Sequence, residues 1–93
     1  MKYFSWSEEK NELLKVERQV SFEDVVFYIE MGFLLDVLEN PNQEKYKGQK
    51  MFVVQIEDYA YLVPFIENDH EVFLKTIIPS RKATKNYLKG SEE

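Results

Sequence analysis

The chain has 93 residues, 44% of them hydrophobic and 15% aromatic, which is enough for one small domain with a single core. It contains no cysteine, which excludes disulfide bonds and thiolate metal sites. No apolar run approaches the ~20 residues that span a membrane, and the N-terminus lacks the apolar segment of a signal peptide. We therefore predict a soluble cytoplasmic protein, with one domain over residues 1–90 and a disordered tail over 91–93.

Two helices are predicted first. Ser7 is a suitable N-cap for a helix that runs to about Arg18, and Glu8 and Glu9 suit its first turn. Residues 3–6 precede it as a short extended segment. Ser21 followed by Asp24 matches a capping box and predicts a second helix that stops near Gly32.

Strand patterns follow. Residues 33–38, 51–56, 59–66 and 71–78 read as strands, separated by a polar loop over 40–49 and turns at 57–58 and 67–70. Pro64 marks an edge or a bulge near the end of the third strand. A short C-terminal helix is predicted over 83–89. The order predicts an α+β fold, with two N-terminal helices packed on one face of a four-stranded, mainly antiparallel sheet.

Charge is divided unevenly along the chain. The net charge is −5, and residues 8–44 hold ten acids and three bases. Residues 72–90 hold five bases and no acid: Lys75, Arg81, Lys82, Lys85 and Lys89. One part of the molecule therefore suits a basic partner or solvent, and the other suits an anion.

The basic cluster allows two interpretations. In the first, it is a solvated strand end followed by a surface helix, with no ligand. In the second, Arg81 binds an anion through its fork of N–H donors and Lys82 assists it. Lys82, Lys85 and Lys89 lie at i, i+3 and i+7, which places them on one face of the C-terminal helix.

Other candidate residues carry weaker patterns. Trp6, directly before a capped helix, is more often a core anchor than a stacking platform, and Lys10 follows it on the first helix. The single histidine, His70, lies in a polar turn and reads as a solvated residue. No set of ligands for a metal or another cofactor stands out, and none is predicted.

Two segments resemble a known family. Trp6-Ser7-Glu8-Glu9-Lys10 with Val20-Ser21-Phe22-Glu23-Asp24-Val25 is similar to the opening of the BrnT-type toxins, and Ile77-Ile78-Pro79-Ser80-Arg81-Lys82-Ala83-Thr84-Lys85 is similar to their Ile-Ile-Ser-Ala-Arg-Lys-Ala-Thr-Lys segment. These toxins belong to bacterial type II toxin–antitoxin systems and to the broader RelE-like class of small ribonucleases. The resemblance implies a RelE-like fold.

The resemblance also implies a reaction, the cleavage of RNA without a metal. The 2′-hydroxyl attacks the adjacent phosphorus, so a base, phosphate-binding cations and an acid are needed. Arg81 would hold the phosphate with Lys82, and Lys10 would stabilise charge or transfer a proton. Glu9 is the candidate base, although consecutive helix residues do not share one face. Trp6, Lys85 and Lys89 would contact RNA, and Tyr87 is a remote candidate acid.

The implied partner is a small antitoxin with a ribbon–helix–helix module, which would bring the complex to operator DNA. An alternative is a non-catalytic binding module or corepressor subunit with the same fold. The acidic composition favours it, as does the first helix, where Leu14-Lys15-Val16-Glu17-Arg18 stands in place of the family's Asn-x-x-Lys-His. A third interpretation is a regulatory subunit whose basic end contacts a protein carboxylate.

Overall fold

The computed structural model describes residues 2–45 and 47–89, and it has an α+β architecture. In these residues the chain forms three helices and a mixed sheet. The elements are β1 (Tyr3–Trp6), α1 (Glu8–Arg18), α2 (Phe22–Glu30), β2 (Leu34–Glu39), β3 (Lys50–Ile56), β4 (Tyr59–Glu67), β5 (Glu71–Leu74), β6 (Ile78–Pro79) and α3 (Arg81–Thr84), which continues as a π-helical segment (Lys85–Lys89). The tail predicted over 91–93 lies outside the described residues.

Both N-terminal helices begin as the sequence predicts. The Ser7 hydroxyl accepts a hydrogen bond from the Lys10 N–H at 3.2 Å. At α2 the Ser21 hydroxyl accepts from the Asp24 N–H at 3.1 Å, and the Asp24 carboxylate accepts from the Ser21 N–H at 3.0 Å. The predicted capping box is therefore confirmed, with aspartate in the position usually held by glutamate.

The sheet has more strands than the predicted four. Its order is β1-β5-β4-β3-β2, and β6 pairs with β4 beyond the end of β5. β1 pairs with β5 in parallel, and the other pairs are antiparallel. The prediction missed β1 as a strand because a four-residue segment shows no periodicity of its own and its partner lies near the other end of the chain.

The predicted strand over 71–78 is in fact two strands. β5 pairs with Phe65–Glu67 of β4, and β6 pairs with Tyr61 and Leu62. Between them, Pro64 has no N–H to donate, and its carbonyl accepts a hydrogen bond from the Lys75 N–H at 2.8 Å. The break in the ladder thus lies where the proline was expected to disturb it.

The sheet carries helices on both faces; the prediction placed the two N-terminal helices on one face and assigned no face to the C-terminal helix. Along β4, Val63 packs with Leu14 of α1 and Phe22 of α2, whereas Ala60 packs with Ala83 of α3. Residues an odd number of positions apart in a strand point to opposite faces. α1 and α2 therefore cover one face, and α3 covers the other. None of the described helices is both long enough and apolar enough to span a membrane.

The C-cap of α1 carries an unusual backbone conformation. Gln19 has φ 58° and ψ 36°, in the left-handed region, and its N–H donates to the Lys15 carbonyl. Glycine is the usual residue at such a position because a Cβ atom is disfavoured there.

We expect Gln19→Gly to raise the free energy of unfolding by about 0.5–1 kcal/mol, because glycine adopts this conformation without steric conflict. Urea unfolding curves of the variant and the parent measure the change. Gln19→Ala is the matched control, since it removes the same side-chain atoms but keeps the Cβ. Equal stabilities of the glycine and alanine variants would contradict the explanation.

Candidate nucleic-acid interface

The segment from Ser80 to Lys85 is held on the sheet by its uncharged residues. Thr84 is 4% exposed, and its hydroxyl accepts from the Ala60 N–H and donates to the Ser80 carbonyl, both at 2.8 Å. The Ser80 hydroxyl caps α3 by accepting from the Ala83 N–H at 3.0 Å, and Ala83 is buried against Val53 and Ala60. This docking explains why a small residue and a threonine interrupt the cations in the sequence.

The cations between these anchors face outward. Arg81, Lys82 and Lys85 are exposed, and their side chains form no ion pair or hydrogen bond with any described residue. The side chain of Lys89 lies outside the described residues. Three uncompensated positive charges thus lie on one surface of an acidic protein, and we call this the α3 surface.

A shallow pocket of about 210 Å³ adjoins Lys82. Its lining consists of Leu38, Val53, Leu62, Ser80, Lys82, Ala83, Asn86 and Tyr87. The floor is apolar, while Lys82, Asn86 and Tyr87 supply a cation, an amide and a phenol at the rim. The pocket therefore offers the combination of flat apolar contact and polar groups that a nucleobase next to a phosphate would use.

Tyr87 is hydrogen-bonded across this surface to the edge strand β2. Its hydroxyl donates to Asp36 Oδ2 at 2.6 Å, and the other carboxylate oxygen of Asp36 accepts from the Val37 N–H at 2.8 Å. The bond to Tyr87 is the main cause of a lowered pKa at Asp36, and the same bond raises the pKa of Tyr87. At neutral pH Tyr87 is thus a protonated donor, which suits an acid and not a base.

The structure does not bring the α1 candidates to the α3 surface. Glu9 is exposed, Lys10 is half-buried, and both line a shallow depression on the outer side of α1. Because α1 covers the opposite face of the sheet from α3, the sheet separates Lys10 from Arg81 and Lys82. The composite site predicted from Lys10, Glu9, Arg81 and Lys82 is not assembled in this conformation.

Trp6 is partly buried and packs against the core on the α1 side. Its ring stacks on Phe22 with a centroid distance of 5.6 Å and an interplanar angle of 25°. Its indole Nε1 is buried and has no hydrogen-bond partner among the described residues. This placement corresponds to the core-anchor interpretation, and it leaves the predicted RNA contact of Trp6 without structural support.

The sequence analysis missed three residues whose side-chain hydrogen bonds position helices α1, α2 and α3 or the Tyr87 side chain. Asn11 is completely buried and joins α1 to α2, Asp36 orients Tyr87, and Thr84 fixes α3. Asn11 and Thr84 had a detectable signal, since asparagine and threonine are disfavoured inside helices unless their side chains bond to a neighbouring segment. Asp36 had none, because its partner is 51 positions away.

Comparison with known proteins adds no family assignment. No protein-family model, no curated protein and no solved structure matches the chain. Within residues 2–45 and 47–89, no three histidine, aspartate or glutamate side chains are grouped so that they could hold a metal ion.

Proposed function

We propose that this chain is the toxin component of a type II toxin–antitoxin system, with a RelE-like fold, and that it binds RNA in the cytoplasm through the α3 surface. The observation that carries the proposal is the set of three exposed cations, Arg81, Lys82 and Lys85, that have no acidic partner among the described residues. Clustered exposed cations attract an external anion, and the phosphodiester backbone of RNA supplies one at each of several successive positions.

The three cations suit different contacts with an RNA backbone. Arg81 presents a rigid fork that matches two oxygens of one phosphate, whereas Lys82 and Lys85 act as mobile point charges along the backbone. The pocket beside Lys82 adds a site for a base, and the Tyr87 ring at its rim is 39% exposed and free to stack. A single-stranded RNA is therefore a better match than a double helix, whose bases are not available for stacking.

Cleavage requires more than binding. In the proposed reaction Arg81 and Lys82 stabilise the charge on the phosphate during attack by the 2′-hydroxyl, and Tyr87, which lines the same pocket as Lys82, is a protonated group for the leaving oxygen. Glu9 and Lys10 lie across the sheet and have no direct path to the same phosphate. The three cations and Tyr87 therefore include no base that could take the proton of the 2′-hydroxyl.

This separation favours a second candidate function, a binding module that has the toxin fold but does not cleave. Such a module would bind RNA or a partner through the same α3 surface. In either case the proposed partner is a ribbon–helix–helix antitoxin, whose DNA-binding module would bring the complex to its operator. Acidic residues of α1 and α2 would then suit a basic segment of that antitoxin.

We expect Arg81→Ala to weaken binding of a single-stranded RNA about tenfold and to reduce the slope of log K against log [salt] by about 0.7, the value for one lost phosphate contact on a single strand. Fluorescence anisotropy at several salt concentrations measures both quantities. Arg18→Ala is the matched control, because it removes an exposed arginine at the end of α1, a helix on the opposite face. Equal losses in the two variants would refute a specific α3 surface.

The choice between the two functions needs a separate assay. Tightly induced expression with growth measurement, together with RNA incubation in the presence of a metal chelator, tests for toxicity and cleavage. Growth arrest and cleavage that Arg81→Ala abolishes support the ribonuclease. RNA binding without either supports the non-catalytic module, and the absence of RNA binding refutes both RNA-directed functions.

A further inference from the structure

A second pocket lies on the α1–α2 side of the molecule, away from the α3 surface. It is formed where the α1–α2 connection meets the hairpin turn between β3 and β4, and its volume is about 170 Å³. Its lining consists of Gln19, Val20, Asp24, Tyr28, Ile56, Glu57 and Tyr61. None of the proposed RNA-binding residues belongs to this set, so the pocket calls for an explanation of its own.

The pocket has acidic side chains in its lining and no basic ones. Its lining contains two carboxylates, an amide and two phenols but no lysine, arginine or histidine. Glu57 forms no ion pair with a described residue, and Asp24 uses only one carboxylate oxygen, for the N–H of Ser21. Burial and, after it, the charge of Glu57 raise the pKa of Tyr61, which lines the same pocket as Glu57.

Two strained residues border the same pocket. Gln19 has φ 58° and Glu57 has φ 59°, and they are the two described non-glycine residues with positive φ. Their side chains make no hydrogen bond to a described residue, so no internal contact of those side chains explains why glycine is absent. Non-glycine residues in the left-handed region cluster at active sites and ligand-binding sites.

We propose that this pocket binds a guanidinium group. A guanidinium carries five N–H donors and a delocalised positive charge, and the pocket offers carboxylate oxygens of Asp24 and Glu57, the Gln19 amide oxygen and the tyrosine hydroxyl oxygens as acceptors. The rings of Tyr28 and Tyr61 add faces on which a planar cation stacks. The volume corresponds to roughly five or six water molecules, which a guanidinium with its first methylene group fills.

Titration with methylguanidinium, followed by NMR of the backbone amides and tyrosine rings, tests the proposal on the full chain. We expect saturable shifts at Gln19, Glu57, Tyr28 and Tyr61, and an affinity at least about tenfold lower in Glu57→Gln, which removes one charge-assisted hydrogen bond. Glu57 is exposed in a turn, so this variant keeps the fold. N-methylurea has nearly the same shape without the charge, and we expect no saturable shift with it.

Glu30→Gln is the matched control. Glu30 is an exposed glutamate at the end of α2 that does not line the pocket, and its replacement removes one negative charge, as Glu57→Gln does. An unchanged affinity in this variant supports the pocket. Equal weakening by Glu57→Gln and Glu30→Gln, an equal response to N-methylurea, or shifts that do not saturate would each overturn the proposal.

A second probe decides the source of the guanidinium. N-acetyl-arginine amide carries the same group on a peptide-like stem. Tighter binding than methylguanidinium indicates an arginine side chain of a peptide segment, because the stem then contributes contacts. Weaker binding indicates a small free guanidine, because the stem is then excluded. Neither result depends on RNA binding, so the guanidinium proposal and the RNA-binding proposal are tested independently.

Discussion

Replacing Asn11 with alanine is expected to lower the free energy of unfolding by about 2–4 kcal/mol. This is a large effect for a small polar side chain. Asn11 is fully buried in α1. Its Oδ1 accepts the Phe22 N–H at 2.8 Å, and its Nδ2 donates to Glu23 Oε1 at 2.8 Å. Alanine leaves the N–H of a fully buried residue without a partner and opens a small cavity. Urea unfolding of both proteins measures the loss.

Low pH should reduce the difference in unfolding free energy between the parent and Asn11→Ala. The hydrogen bond from Asn11 is the main cause of a lowered pKa at Glu23. A carboxylate with a depressed pKa stabilises the folded state above its unfolded pKa, and that contribution is lost as the pH falls through the folded pKa. The gap between the parent and Asn11→Ala should therefore narrow below the usual glutamate range of about pH 4 to 5.

Glu23→Gln separates the charge of Glu23 from the two hydrogen bonds of Asn11. The glutamine oxygen still accepts from Asn11, and the bond to the Phe22 N–H is untouched. We expect this exposed substitution to cost less than about 1 kcal/mol. If Asn11→Ala were no more destabilising than Glu23→Gln, the buried Phe22 N–H would not be the reason for an asparagine in α1.

Thr84→Val is expected to cost about 1–3 kcal/mol and to loosen α3 from the sheet. Valine has nearly the same shape as threonine, so packing is preserved while the acceptor for the Ala60 N–H is removed. Ala60 is completely buried, which leaves its N–H unsatisfied. Urea unfolding measures the stability, and amide hydrogen exchange at Ala60 and Thr84 measures the local opening.

Thr84→Ser provides the control because it retains the hydroxyl and loses only a methyl group. It should keep slow exchange at Ala60, whereas Thr84→Val should not. Since the same anchor positions Arg81, Lys82 and Lys85, the RNA binding proposed for the α3 surface should also be weaker in the valine variant. Slow exchange and full stability in the valine variant would show that apolar contacts of Ala83 suffice to hold α3.

The elements that could be predicted are those whose signals are local. Ser21 and Asp24 carry a complete capping box within four residues, and the antiparallel pairing of β3, β4 and β5 follows from short polar turns. β1 could not be predicted, because Tyr3–Trp6 becomes a strand only by pairing with β5. The split between β5 and β6 depends on Pro64, which lies in a neighbouring strand.

The candidate site likewise has one feature that the sequence predicts and one that it does not. The clustering of Arg81, Lys82 and Lys85 is visible in the sequence because all three lie on one short helical segment. Their separation from Lys10 is not visible, because it depends on which face of the sheet each helix covers. That choice is made by the core residues Leu14 and Ala83, which pack against β4 residues of opposite orientation.

The parallel pair β1–β5 has a consequence for how the chain acquires its fold. Its side-chain hydrogen bond from Ser5 to Glu71 joins positions 66 apart in sequence. During synthesis at about 5–20 residues per second, β1 therefore leaves the ribosome on the order of several seconds before its partner strand exists. Closure of this edge is a late event, limited by the entropy of a long loop. Trp6 is the single tryptophan of the chain and lies in β1 opposite Leu74, so its fluorescence provides a probe for the docking of β1.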